Sequence, residues 1–255
     1  MPTEKSGLRN LGVAIYLQTP VSLSTETFVS EFRARWERTA CEPKGETETC
    51  SRFKVGRSHV AIECRRIRVP DSVSNSVLQT GLHWPAAEED IIAHKAHIAV
   101  AASSDDGDTL RLAADLTKTV VTLLSRSHSL CVCWLNGPAL SRQDDFQGIA
   151  TNLLGSGQPP LMLWVGLHWK NEGGLLYTKG MTQFGAPEIF LAQRSSVSEQ
   201  EVRFLYDMVW RVLTQGYEPV DGAKINGPRG VFRVDYLQPN DSDKRAFYLV
   251  PMSPI

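Results

Sequence analysis

Apolar positions change period several times along the chain, and those changes predict its elements. Residues 11–17, "LGVAIYL", alternate and carry β-branched side chains, so they predict a strand. Helical spacing follows at Phe28, Phe32 and Trp36, with Ser24 as N-cap and Leu23 and Phe28 placed as a hydrophobic staple. The Gly- and Glu-rich stretch 41–51 is expected as a loop, and residues 52–69 as a hairpin turning at Gly56. A loop over 70–85, a short helix over 86–95, a small-residue strand over 96–102 and a turn at 103–108 complete the first third.

The pattern from 109 to 127 is strongly amphipathic. Leu112, Leu116, Val120 and Leu123 fall on one helical stripe. A strand over 130–135 comes next. Several Gly and Pro breakers between 136 and 160 then mark the best candidate linker. Strands are predicted over 161–169, 174–179 and 187–193. Ser198 and Glu201 form a capping box that opens a helix over 199–215, buried along Val202, Leu205, Val209 and Val212 and closed by Gly216. Residues 231–237 and 246–250 close the chain as a hairpin. Mixed helices and hairpin-linked strands predict an α+β fold of mostly antiparallel sheets with helices on one face. The expected division is an N-terminal α+β half over 1–136, a linker over 137–159 and a C-terminal α+β half over 160–255, each half a ferredoxin-like variant.

Composition narrows the function classes. The 255 residues are 42% hydrophobic, enough for a sizeable core. The formal net charge of −1 gives no global field to draw in nucleic acid or an anionic membrane, so neither is an expected partner. Arg65, Arg66 and Arg68 read as a solvated strand face. No apolar run reaches the roughly 18 residues of a membrane helix, and the polar start "MPTEKSGLRN" has no signal-peptide core. Five cysteines at Cys41, Cys50, Cys64, Cys131 and Cys133 have no framework spacing, which fits reduced thiols and a cytoplasmic location. Cys41 and Cys50 would pair only if the stretch between them folded back on itself.

Motif chemistry is sparse. No G-x-S-x-G, Walker A, H-E-x-x-H or paired C-x-x-C occurs. His94 and His97 are three apart, but the helix-to-strand change falls between them, so no metal and no cofactor is expected. Residues 177–191 read "YTKGMTQFGAPEIFL". Gly180 and Gly185 suit a tight connection between two strands, and Pro187 suits the entry to an edge strand. Glu188 and Lys179, with His168 on a neighbouring strand, are the only acid–base candidates. The bland reading has the Glu188 carboxylate pin the turn, either by accepting from backbone N–H groups of its own turn or by pairing with Lys179.

The pattern Thr178-Lys179-Gly180, then Phe184-Gly185, then Pro187-Glu188, followed by a helix and the Gly-rich "DGAKINGPRGVFRVDY", resembles the bacterial domain-of-unknown-function family 4261. The resemblance covers roughly residues 160–250 and implies a fold and a bacterial source, but no activity. Six tryptophans and a repeated "LHW" direct attention to partner binding. Trp84, beside His83 in a loop, is either a core plug or an interface anchor and is the candidate partner contact, and Trp164 and Trp210 are read as core. The acidic runs Glu88-Glu89-Asp90, Asp105-Asp106 and Asp144-Asp145 are the candidate partner-facing charges, each also readable as a solvated loop or helix start. The expectation is a non-enzymatic bacterial module that binds another protein, of the toxin-immunity or secretion-accessory class. The alternatives are an enzyme built on Glu188 and Lys179, or a structural homo-oligomer joined through the strand at 231–237.

Overall fold

The computed structural model describes residues 9–47, 49–78, 82, 87–170, 174–192, 196–237 and 246–252. The elements are β1 (Arg9–Leu17), α1 (Thr25–Arg35), β2 (Cys41–Glu46), β3 (Cys50–Val55), β4 (Ser58–Arg65), α2 (Asp71–Leu78), α3 (Ala87–Ala93), β5 (Ala96–Ser104), α4 (Thr109–Leu124) and β6 (Ser129–Trp134). Then come β7 (Ala139–Arg142), α5 (Gln143–Gly155), α6 (Leu161–Trp164), β8 (Gly166–Lys170), β9 (Leu175–Lys179), β10 (Glu188–Ala192), α7 (Glu199–Gln215), β11 (Lys224–Gly227), β12 (Gly230–Leu237) and β13 (Ala246–Pro251). The class is α+β, as the mixed pattern predicts. Among the described residues no helix is long and apolar enough to cross a membrane.

The strands form two sheets. The first runs β2-β3-β4-β5-β1-β6-β7 and pairs antiparallel throughout. Within it, β4-β5-β1-β6 with α1 and α4 as crossovers has β-α-β-β-α-β connectivity. The second runs β11-β12-β13-β10-β9-β8 and does not repeat that plan. It carries one long crossover helix, α7, and a parallel pair, β10 with β13.

Strand β1 shows why the first sheet sits at the centre. Val13, Ile15 and Leu17 face α1 and α4, while Ala14 and Tyr16 face the opposite side, and all are buried. A strand apolar on both faces needs cover on both. The expectation of helices on one face is therefore corrected here: α2 and α3 cover the second face around Tyr16, Val77 and Ile91. The stripe Leu112, Leu116, Val120 and Leu123 of α4 is buried as its period requires. It belongs to one core that continues into the second sheet through Leu176, Ile189, Leu191 and Phe247.

Several expectations for individual segments are corrected. The stretch 41–51 is not a loop, because β2 and the start of β3 pair across it. Residues 71–78 are helical rather than loop. The breaker-rich segment 137–159 contains β7, paired to β6, and α5, packed on α4. The apolar run at 161–164 is a helical turn, and β8 starts only at Gly166. Trp210 is 42% exposed because it lies off the Leu205–Val209 stripe, so it is not core. Strands β10 and β12 are interior, so Pro187 does not open an edge strand and 231–237 offers no edge for self-pairing. All five cysteines are free, and Cys41 and Cys50 stand at opposite ends of the β2–β3 ladder.

Candidate functional site

The stretch 177–191 is a strand, a 3-10 turn at Met181–Phe184 and a second strand, and it locks the two sheets together. Gly180 has φ 116°, and a Cβ there would come within 2.6 Å of Gly137 Cα. A Cβ on Gly137 would in turn lie 2.1 Å from the Trp164 carbonyl oxygen. These glycines therefore permit backbone contact between the sheets. Into this seam Gln183 sends its amide, and the Trp134 and Trp164 rings pack beside it with centroids 5.9 Å apart.

The acid–base candidates do not converge. Glu188 Oε1 accepts the N–H of Gly180 at 2.8 Å and of Thr182 at 3.3 Å. Its Oε2 accepts the Thr178 hydroxyl at 2.7 Å. Thr178 Oγ1 itself accepts the N–H of Ile189 at 2.9 Å. The carboxylate is thus a turn clamp. Lys179 Nζ lies 5.7 Å from the Tyr177 ring centroid, and among the described residues no ion pair joins it to Glu188. His168 is fully buried, 5.6 Å from Tyr177 between centroids, where even a Cβ on Gly166 would come within 2.8 Å of its Nε2.

The same face carries Tyr177, Phe190 and Tyr248 in register across β9, β10 and β13. The rings stack nearly parallel, 5.4 and 4.6 Å apart. Both faces of Phe190 are covered by its neighbours, so the row stabilises the sheet through cross-strand pairs.

The remaining candidates fall elsewhere. His83 and Trp84 lie outside the described residues. Asp106 accepts from the Ser104 hydroxyl and the Arg111 guanidinium, and those bonds hold its carboxyl below the usual range, at about 2. Asp105 is exposed on the same turn. Asp144 and Asp145 occupy the first turn of α5, where negative charge complements the helix N-terminus. His94 and His97 do not form a metal pair. His94 Nε2 accepts the N–H of Val69 at 2.8 Å and its Nδ1 donates to the Ile91 carbonyl, while His97 Nδ1 bonds the Ile67 carbonyl at 2.8 Å. Among the described residues no cluster could hold a metal ion.

Two features were missed in the sequence. The first is Asp115, 4% exposed on the inner side of α4. It accepts from Ser58 Oγ at 2.8 Å and Arg111 Nη1 at 3.1 Å, with Lys118 Nζ at 3.8 Å. Burial raises its pKa, opposed by Ser58, Lys118 and Arg111. Its signal was the spacing: cations four residues before and three after an acid in an apolar stripe. The network anchors the β3–β4 turn, where Gly56 stands against the carboxylate.

The second is a groove of about 1210 Å³ between the halves. One wall is the N-terminus of α4, the other is the end of α7 and the chain after it, and the 3-10 turn lies between. Leu110, Phe184, Pro187, Leu213, Tyr217 and Val220 supply apolar surface. Three carboxylates, Asp108, Glu218 and Asp221, sit among them, and among the described residues no Lys, Arg or His is in the lining. Asp108 caps α4 by accepting the N–H of Arg111 at 3.0 Å, and Asp221 accepts the N–H of Tyr236 at 2.9 Å. Val220 is 71% exposed. Glu188, Lys179 and His168 are not among the lining residues. Comparison of the chain with protein-family models, with curated proteins and with solved structures finds no match.

Proposed function

We propose that this chain is a non-enzymatic protein-binding module that receives its partner in the groove between the two sheets. One observation carries the reading. The acid–base candidate Glu188 is spent on the fold, where its carboxylate holds the N–H groups of Gly180 and Thr182 and the Thr178 hydroxyl. The large concave surface, by contrast, joins apolar side chains to a carboxylate rim and lacks a paired acid and base. A groove of this size exceeds the roughly 300–1,000 Å³ of most small-molecule sites and suits a polypeptide segment.

Neutralising or secretion-accessory binding in a bacterial cytoplasm is the class this fits, and the residues resembling family 4261 keep a structural place in it. Thr178, Gly180 and Glu188 make the clamp, and Gly185 with Pro187 leads into β10. The covered faces of Phe190 also leave nothing on that ring for a nucleic-acid base to stack on.

The test is capture of a partner by tagged protein, followed by light scattering of the purified complex. A stoichiometric complex that survives Glu188→Gln but is lost with Val220→Asp is expected. Substrate turnover that Glu188→Gln abolishes would overturn the reading, as would a complex indifferent to Val220→Asp.

A further inference from the structure

We infer that the occupant of the groove is a cationic polypeptide segment with apolar anchors, an amphipathic stretch that sets lysines or arginines against Asp108, Glu218 and Asp221. This rests on the proposed binding function and specifies the partner's chemistry.

The charge argument comes from position. Asp108 comes from the α4 cap, while Glu218 and Asp221 share the chain between α7 and β11, so the tertiary fold brings the first to the other two. Among the described residues none of the lining side chains is cationic. The nearby cation Arg111 is shared among Asp106 at 2.5 Å, Asp115 at 3.1 Å and Asp108 at 3.9 Å, so one guanidinium serves three carboxylates and leaves the local charge negative. Helix α7 adds to the same sign. Val212, Leu213 and Gly216 place its C-terminal end, the negative end of the helix dipole, in the wall. The opposite wall is the positive end of α4, but Asp108 caps it with a carboxylate. An anionic ligand would meet like charge at Asp108, Glu218 and Asp221, whereas a cation would meet an acid at each.

Charge alone would admit a polyamine. The apolar surface argues for more. Leu110, Phe184, Leu213, Tyr217 and Val220 present aliphatic and aromatic groups at intervals through the groove, and such surface gains from desolvation only against an apolar partner. Val220 is the rim position where an anchor would remove the most exposed side chain from water.

The probe is a short labelled helical peptide of leucine and lysine, titrated into the full chain by fluorescence anisotropy. Its controls are the leucine–glutamate counterpart and spermine. The lysine peptide is expected to bind, with affinity falling about tenfold as salt shortens the Debye length from roughly 30 to 8 Å. Glu218→Lys and Val220→Asp should each weaken it about tenfold, and Asp144→Lys, on α5 outside the groove, should leave it unchanged. Equal binding of the glutamate peptide overturns the proposal. So does spermine competing at equal charge, or an equal loss with Asp144→Lys. If the lysine peptide fails while Val220→Asp still releases the captured partner, the cationic assignment falls and the groove stands. If Val220→Asp has no effect on that partner either, both fall.

Discussion

Trp134 Nε1 donates to Gln183 Oε1 at 2.8 Å, so a residue of the first sheet is held by one in the turn of the second. The amide nitrogen of Gln183 completes the link by donating to the carbonyls of Trp164 at 2.9 Å and Gly180 at 2.7 Å. Three bonds through one side chain close the seam that glycines at 137 and 180 open. Gln183→Ala strands the indole N–H and should lower stability by about 2–3 kcal/mol. It should also shift tryptophan emission, because Trp134 is fully buried. Urea denaturation followed by fluorescence reads both, and an unchanged midpoint would show that the sheets are held by packing alone.

The elements that could be read were those whose own residues carried the signal. The stripe of α4, the alternation of β1 and the Ser198–Glu201 box all depend on neighbours within a few positions. The region 136–160 was misread because its glycine serves another end. Gly137 is there so that the Trp164 carbonyl can approach, and in sequence that is indistinguishable from a flexible joint. Strand β7 is only four residues long, too short for a period to show. The run 161–164 is apolar throughout and fits helix or strand equally. The groove was invisible for a deeper reason. Asp108 is far in the chain from Glu218 and Asp221, and the three carry no motif. The turn clamp, by contrast, was foreseen as the bland reading of Glu188.

That clamp makes a graded prediction. Glu188→Ala leaves the N–H of Gly180, the N–H of Thr182 and the Thr178 hydroxyl without their acceptor, and should cost about 2–3 kcal/mol. Glu188→Gln keeps one oxygen and should cost about 1 kcal/mol. Lys179→Ala removes only a half-exposed contact with Tyr177 and should cost under about 1 kcal/mol. Thermal melts of the three variants should rank in that order. A Lys179→Ala as damaging as Glu188→Ala would mean that the pair acts together.

Arg229 supplies the second ion-pair test. The Gly-rich turn before β12 delivers its guanidinium to the capping-box acid, with Nε 2.8 Å from Glu201 Oε1. Glu201 also accepts the N–H and hydroxyl of Ser198 at 2.7 and 2.6 Å, and its side chain is 2% exposed. Arg229→Ala leaves a buried carboxylate without its cation. The guanidinium is about a third exposed, so the expected loss is discounted to about 1–3 kcal/mol. The pair Arg203–Glu199 on the same helix is 75% and 78% exposed, and Arg203→Ala should cost less than about 0.5 kcal/mol. Equal losses in chemical denaturation would show that burial does not set the strength of these pairs.

His94 gives the pH dependence. Its ring accepts the N–H of Val69 at Nε2 and lies edge-on to Tyr16, 4.7 Å between centroids. Burial lowers its pKa, helped by Arg68 and His97 and opposed by the Ile91 carbonyl and Asp71. The native chain therefore holds the ring neutral at a pH where the unfolded chain has begun to protonate it. Below the unfolded value of about 6.5 the unfolded state binds more protons, so stability present above that pH is lost as pH falls toward the depressed native value. The slope from this one group cannot exceed about 1.4 kcal/mol per pH unit. His94→Phe removes both the titration and the acceptor. It should be less stable than the parent by about 1–2 kcal/mol near pH 7.5, through the stranded Val69 N–H, while losing less stability than the parent between pH 6.5 and 5. The protection factor of the Val69 amide, with the intrinsic exchange rate divided out, should fall in the parent over the same interval. Parallel pH curves for parent and variant would assign the acid sensitivity to another group.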